Sequence, residues 1–141
     1  MNMRRMTAPC GLDCFNCHVH ENNITEEMRK GLAAMLHKSP EEVACKGCRD
    51  QNGCALYPGN CQTLECARAK GVEFCHECSS FPCGKLAPSA SGAEKYPHNL
   101  KVYNLCQMRV LGFDEWAEKH SMKNRALYFK GKFMPGKGPV L

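Results

Sequence analysis

The sequence predicts a small, irregular, α-rich domain of short helices followed by a C-terminal helical pair, and three observations predict it. Leu, Ile, Val and Phe together supply only 24 of 141 residues, under the roughly one-fifth below which packed aliphatic cores become rare. Twelve cysteines stand in their place, eight of them between Cys45 and Cys83. Apolar residues recur at helical spacing in three stretches, 26–37, 99–111 and 115–129. Sulfur chemistry therefore has to supply much of the folding free energy, through disulfides or through metal.

Compartment decides between the two. The N-terminus, MNMRRMTAPCGLDC, has no apolar run behind its two arginines, so no secretory signal is expected. No stretch reaches the roughly 20 apolar residues of a membrane span. The expected location is the cytoplasm, where thiols stay reduced and paired cysteines serve as thiolate ligands. The fold class is then a metal-stabilised domain of zinc-ribbon or knuckle type. The formal charge of +5 counts every cysteine as neutral. Each four-thiolate zinc unit carries −2, so two such sites bring the total to +1 and three to −1. The net charge therefore makes no case for nucleic acid.

Taken in order, residues 1–20 hold a compact cysteine cluster, APCGLDCFNCHVH, among the loop residues Pro9 and Gly11. Residues 26–37 read as a helix capped by Thr25, with Met28, Leu32, Met35 and Leu36 as its apolar stripe and Gly31 as a weak point. Ser39-Pro40-Glu41-Glu42 is a capping-box start of a single turn that feeds into Cys45. Turns follow at Asn52-Gly53 and Pro58-Gly59, then a brief helix from Leu64 to Lys70 ending at Gly71. A connector of small and turn-forming residues spans 84–98. The helical pair is expected at Asn99–Leu111, with Val102, Tyr103, Cys106 and Val110 on its apolar face, and from Glu115 to about Phe129, capped by Asp114. Gly112 forms the corner between them, and 131–141 reads as an extended tail. By composition the chain divides into a cysteine-rich metal-binding domain (1–90), a helical pair packed on it (91–130) and the tail (131–141).

The chemistry is concentrated in three C-x2-C pairs, Cys14 with Cys17, Cys45 with Cys48 and Cys75 with Cys78. Such a turn brings two sulfurs to one tetrahedral ion while backbone amides stabilise the thiolates. Their first cysteines lie 31 and 30 residues apart, but the intervening sequences do not match, so no true repeat is assigned. A closed four-thiolate site is structural, and no H-E-x-x-H or comparable pattern offers an open catalytic zinc. Cys10, Cys14 and Cys17 have the C-x3-C-x2-C spacing of radical enzymes that use S-adenosylmethionine, but the chain is too short for their barrel and Asn16 replaces the usual aromatic residue. Cys14-Phe15-Asn16-Cys17-His18 matches the c-type haem attachment motif, which is normally used after export. Four thiolates suit iron–sulfur clusters as well as zinc. Of the histidines, His18 and His20 lie near the first cluster and His76 inside the third pair; they read as bystanders, with His18 the one to test. Cys106 reads as a buried small hydrophobe. Beyond Glu118, Lys119, Lys123, Arg125, Lys130, Lys132 and Lys137, interleaved with Tyr128, Phe129 and Phe133, read as a solvated face and tail rather than a nucleic-acid surface.

The ordered series APCGLDCFNC, CKGC and CARAKGVEFCHECSSFPC resembles the cysteine-rich family called domain of unknown function 3795, over about residues 8–86. The resemblance rests on Cys10, Gly11, Cys14, Cys17, Cys45, Gly47, Cys48, Cys61, Cys66, Gly71, Val72, Cys75, Cys78, Pro82 and Cys83. It implies a small metal-binding module with no assigned activity, and leaves Cys54 and Cys106 outside the pattern. The candidate metal ligands are therefore Cys10, Cys14, Cys17, Cys45, Cys48, Cys61, Cys66, Cys75, Cys78 and Cys83, with no catalytic residue. Two zinc sites use them most economically. The working division sets Cys45, Cys48, Cys61 and Cys66 in one site and Cys14, Cys17, Cys75 and Cys78 in the other, with Cys10 and Cys83 as rivals for the second. The expected function is a non-enzymatic zinc module that presents a surface to a protein or nucleic-acid partner and not to a membrane. The alternatives are an iron–sulfur or thiol redox protein and a metal sensor or carrier.

Overall fold

Short helices dominate the computed structural model, which describes residues 1–57 and 59–141. Pro58, half of the expected Pro58-Gly59 turn, lies outside the described residues. The elements are α1 (Glu26–Leu36), α2 (Cys48–Gln51), α3 (Gln62–Lys70), α4 (Lys101–Leu111), α5 (Phe113–Glu115) and α6 (Ser121–Lys130), then β1 (Lys132–Met134) and β2 (Gly138–Val140). Among the described residues no helix is long and apolar enough to cross a membrane. The chain forms two compact units, Met1–Ala8 with Asp13–Gly71, and Pro9–Leu12 with Val72–Leu141. The division after Gly71 falls inside the stretch read as one cysteine-rich domain.

In the first unit the local signals act as expected. Thr25 Oγ1 accepts the Met28 amide at 3.2 Å and caps α1, and Gly71, at φ 65°, closes α3. The Ser39 turn makes the return half of a capping box without a continuing helix: the Ser39 amide donates to Glu42 Oε2 at 2.9 Å, and the Glu42 amide donates to the Ser39 backbone carbonyl at 3.1 Å. That hydrogen bond from the Ser39 amide holds the Glu42 carboxyl below the usual carboxylate range. The apolar stripe expected on α1 is a correction. Met28 and Met35 are exposed and Ala33 alone is buried, because the unit has too few large apolar residues to offer the helix a continuous partner surface. Its small core is Ala8, Phe15, Val19, Val43, Leu64 and Ala67. Polar braces supplement it: Arg49 Nε donates to Thr7 O at 2.8 Å, Arg68 Nη1 to Asn52 Oδ1 at 2.7 Å, and Arg5 pairs with Asp50.

The second unit has the aromatic core. Phe74 stacks on Phe113 at 5.6 Å, and Phe113 meets Trp116 at 5.7 Å, with Trp116 and Leu105 fully buried. Two expectations about the helical pair are corrected. α4 buries Asn104, Leu105 and Met108, while Tyr103, Cys106 and Val110 are exposed. A polar residue lies on the core face because its hydrogen bonds are met. Asn104 Nδ2 donates to Gly11 O at 2.9 Å, and Asn104 Oδ1 accepts Asn124 Nδ2 at 3.0 Å. Asp114 is not a cap: Gly112, at φ 84°, turns the chain so sharply that α5 starts at Phe113 and Asp114 falls within its first turn. A π-helical turn, Trp116–His120, carries α5 into α6. The residues expected as an extended tail fold back as a hairpin, with Lys132 opposite Val140 and Met134 opposite Gly138; Gly136 and Gly138 supply the positive φ that the reversal needs. Arg125, read as part of a solvated basic face, is buried.

Candidate thiolate centres

None of the twelve cysteines, all of them described, is disulfide-bonded. The first unit holds Cys14, Cys17, Cys45, Cys48, Cys54, Cys61 and Cys66, and the second Cys10, Cys75, Cys78, Cys83 and Cys106. Among the described residues, no group of three or more His, Cys, Asp or Glu side chains is gathered as a ready-made metal site. The structure supplies instead the local turns on which thiolate sites are built.

Two of the C-x2-C pairs share one backbone. Cys14–Asn16 and Cys75–Glu77 are each a 3₁₀ turn, and each is followed by a cysteine in extended conformation, Cys17 at φ −75°, ψ 131° and Cys78 at φ −79°, ψ 136°. The Cys17 amide donates to Cys14 O at 2.9 Å and the Cys78 amide to Cys75 O at 3.2 Å. Asn23 Nδ2 braces the first turn by donating to Phe15 O at 2.7 Å and Cys17 O at 2.9 Å. In the second unit, the Ser80 amide donates to Cys78 Sγ at 3.4 Å. The Cys75 amide donates to Pro9 O at 2.8 Å, which ties the residue before Cys10 to the Cys75 turn.

The third pair is built differently. Cys45 lies in a short parallel bridge with His20: its amide donates to Val19 O at 2.9 Å and its carbonyl accepts the Glu21 amide at 2.8 Å. Gly47, at φ 87°, then turns the chain into α2, which begins at Cys48. The Gly47 amide donates to Cys45 Sγ at 3.4 Å, and Gln51 Nε2 donates to the same sulfur at 3.3 Å. Cys54 also shares a hydrogen bond with Cys45, which pulls the Cys45 thiol down to about 5 and pushes the Cys54 thiol up. Cys45 is buried and Cys54 exposed. The Cys45 sulfur is thus the acceptor of backbone, amide and thiol donors, the environment that stabilises a thiolate.

Sequence reasoning missed two residues here. Cys54 was set aside as outside the family pattern, yet it bonds to Cys45. His18 was singled out, but it is exposed, while His20 is 2% exposed and lies beside Cys45. The alternation His18-Val19-His20 carried no signal that could separate the two histidines, because residues two apart on an extended segment share a face. In the second unit Cys106 is exposed, contrary to the buried role expected for it, because α4 turns its other face to the core. Cys83 and Cys106 line one groove of about 720 Å3 with Leu86, Val102 and Tyr103.

No curated protein and no solved structure matches the chain. The sequence model of one family matches residues 6–88. That stretch contains the thiolate turns of both units, from Cys10 to Cys83, and the chain belongs to the family described as protein of unknown function (DUF3795).

Proposed function

We propose that this protein is a small zinc-binding module whose metal is structural and whose role is to present a surface to a protein or nucleic-acid partner. The observation that carries the reading is the repeated 3₁₀ turn at Cys14–Asn16 and Cys75–Glu77, each followed by an extended cysteine. This backbone sets two thiols of one C-x2-C step on a common turn, and an amide donor to sulfur, from Ser80 to Cys78, supports it in the second unit. Cys10, Cys75, Cys78 and Cys83 are the set we assign to one ion, because all four belong to the second unit and Pro9 is bonded to Cys75. Their chemistry fits a soft divalent ion: four thiols, no hard oxygen ligand required. Zinc bound there would supply on the order of 10 kcal/mol of folding free energy, in a chain short of aliphatic residues. Cys14, Cys17, Cys45, Cys48, Cys61 and Cys66 are the candidates for a second ion in the first unit.

The test is elemental analysis of anaerobically purified protein together with its visible absorption, for the parent and Cys78→Ser. Zinc without colour in the parent, and one equivalent less in Cys78→Ser, supports the reading. Iron with broad absorption near roughly 400 nm would transfer the assignment to an iron–sulfur protein. A folded, metal-free parent would overturn it.

A further inference from the structure

Positive charge and exposed aromatic surface coincide at the end of the second unit. The 23 residues after Glu118 hold six of the chain's 19 lysines and arginines and none of its 14 acidic residues, and no cysteine follows Cys106 to add thiolate charge there. Lys119 pairs with Glu115 at 3.5 Å and Arg125 is buried; the other four cations, Lys123, Lys130, Lys132 and Lys137, are exposed. Two rings stand among them. Phe133 is 75% exposed and Phe129 41%, with Lys130 and Lys132 between them in the chain. Both rings are carried on ordered backbone. Phe129 lies in the last turn of α6, edge-on to Tyr128 at 5.0 Å, and the Tyr128 hydroxyl anchors that turn by donating to Tyr96 O at 3.0 Å. Phe133 is the middle residue of β1, opposite Pro139, so these two side chains share one face of the hairpin. The reversal is stiff. The Lys137 amide donates to Met134 O at 3.0 Å, and between them stand Pro135, whose ring fixes its own φ, and Gly136 at φ 76°. An exposed phenyl ring gains free energy from any apolar face that covers it, and the lysines around it select a face attached to an anion.

We propose that the end of α6 and the β1–β2 hairpin form a binding surface for single-stranded nucleic acid, in which bases stack on Phe133 and Phe129 while Lys123, Lys130, Lys132 and Lys137 contact the phosphates. Charge complementarity selects a polyanion, because the segment offers cations and no carboxylate side chain. The exposed rings select a polyanion with open π faces. Every base has such a face, so binding is tolerant of sequence. The bases of a duplex are already stacked on one another and offer Phe133 nothing. An acidic peptide matches the lysines but not the rings. A lipid surface fits less well, because the tip of the hairpin is Pro135-Gly136-Lys137 and its insertion would bury a charge. This inference deepens the reading above by naming the partner: it rests on the claim that the module presents a surface, and not on which ion the thiols hold.

The full-length protein, its metal content measured, is titrated into fluorescein-labelled oligo(dT) and oligo(U) of about 20 nucleotides, longer than a typical single-strand site, and binding is followed by anisotropy from about 50 to 200 mM salt. Four phosphate contacts predict a fall of log K with log salt at a slope of about −3, from about −0.7 per contact. Phe133→Ala is expected to weaken binding about 5- to 150-fold, the effect of one lost stack, with the slope unchanged. Phe133→Trp is expected to restore it, with the new indole quenched by bound strand. Lys130→Gln with Lys132→Gln is expected to reduce the slope by about 1.4. These positions are exposed, so urea unfolding should find all the variants as stable as the parent. Absence of binding at about 50 mM salt, or an unchanged affinity in Phe133→Ala, overturns the proposal. So does tighter binding to a duplex, or equal binding to polyglutamate or to phosphatidylserine vesicles. Strand binding by folded, metal-free protein would refute the zinc reading alone; zinc-loaded protein that binds no strand would refute this proposal alone.

Discussion

Gly11→Ala should unfold the second unit far more easily while leaving every thiol in the chain. Gly11 lies at φ +88°, and a Cβ added there would stand 2.8 Å from both Leu105 Cγ and the Lys101 carbonyl oxygen. The left-handed backbone costs an L-residue roughly 1–2 kcal/mol. The overlap adds about 1–3 kcal/mol, because one neighbour is helix backbone and the other is the fully buried Leu105. The sum is about 2–5 kcal/mol, a large share of a small domain's stability. Any shift of Gly11 also strains its carbonyl's bond from Asn104 Nδ2. Gly31→Ala is the control: nothing lies within 4 Å of its added Cβ, and in mid-helix the change should stabilise by up to about 1 kcal/mol. Urea unfolding followed by fluorescence of Trp116, the single tryptophan and a core residue of the second unit, reads the Gly11 effect directly; Gly31 is read by far-ultraviolet circular dichroism. A Gly11→Ala free energy of unfolding within about 0.5 kcal/mol of the parent's would refute the argument from crowding and strain.

Other outcomes follow from the same coordinates. Asn104→Ala strands the Gly11 carbonyl and one Asn124 amide donor, and should cost about 1–3 kcal/mol per stranded group in the same unfolding assay. Thr25→Ala removes the cap on the Met28 amide and should destabilise α1 by about 1 kcal/mol, seen as faster amide exchange in its first turn. Because the folded Glu42 carboxyl is held below its unfolded value, its contribution to the Ser39 turn is fully present above the ordinary carboxylate range. It is lost as the pH falls through the lowered value. The Ser39 amide resonance should report that transition in the parent and lose it in Glu42→Gln. Trp116→Ala should cost about 3–5 kcal/mol by leaving a cavity beside Phe113, measured by calorimetry.

The sequence by itself determined the features that depend on a few neighbouring residues: the Thr25 cap, the single Ser39 turn, the Gly71 stop, the corner at Gly112, and the C-x2-C turns. Each is a local contest between backbone conformations, settled by a glycine, a proline or one side-chain oxygen within reach. The ordered cysteine motifs also identified the family. Tertiary structure alone decided which faces are buried and which thiols meet. α4 carries apolar residues on two sides, and the choice of Leu105 and Met108 over Tyr103 and Val110 depends on Gly11 and Asn124, residues far from it in sequence. Gln51 bonds both the Cys45 sulfur and the Gly53 carbonyl, and His20 lies beside Cys45 through a backbone bridge across 25 positions. Spacing rules register neither, because hydrogen bonds to sulfur need a folded chain to bring donor and acceptor together.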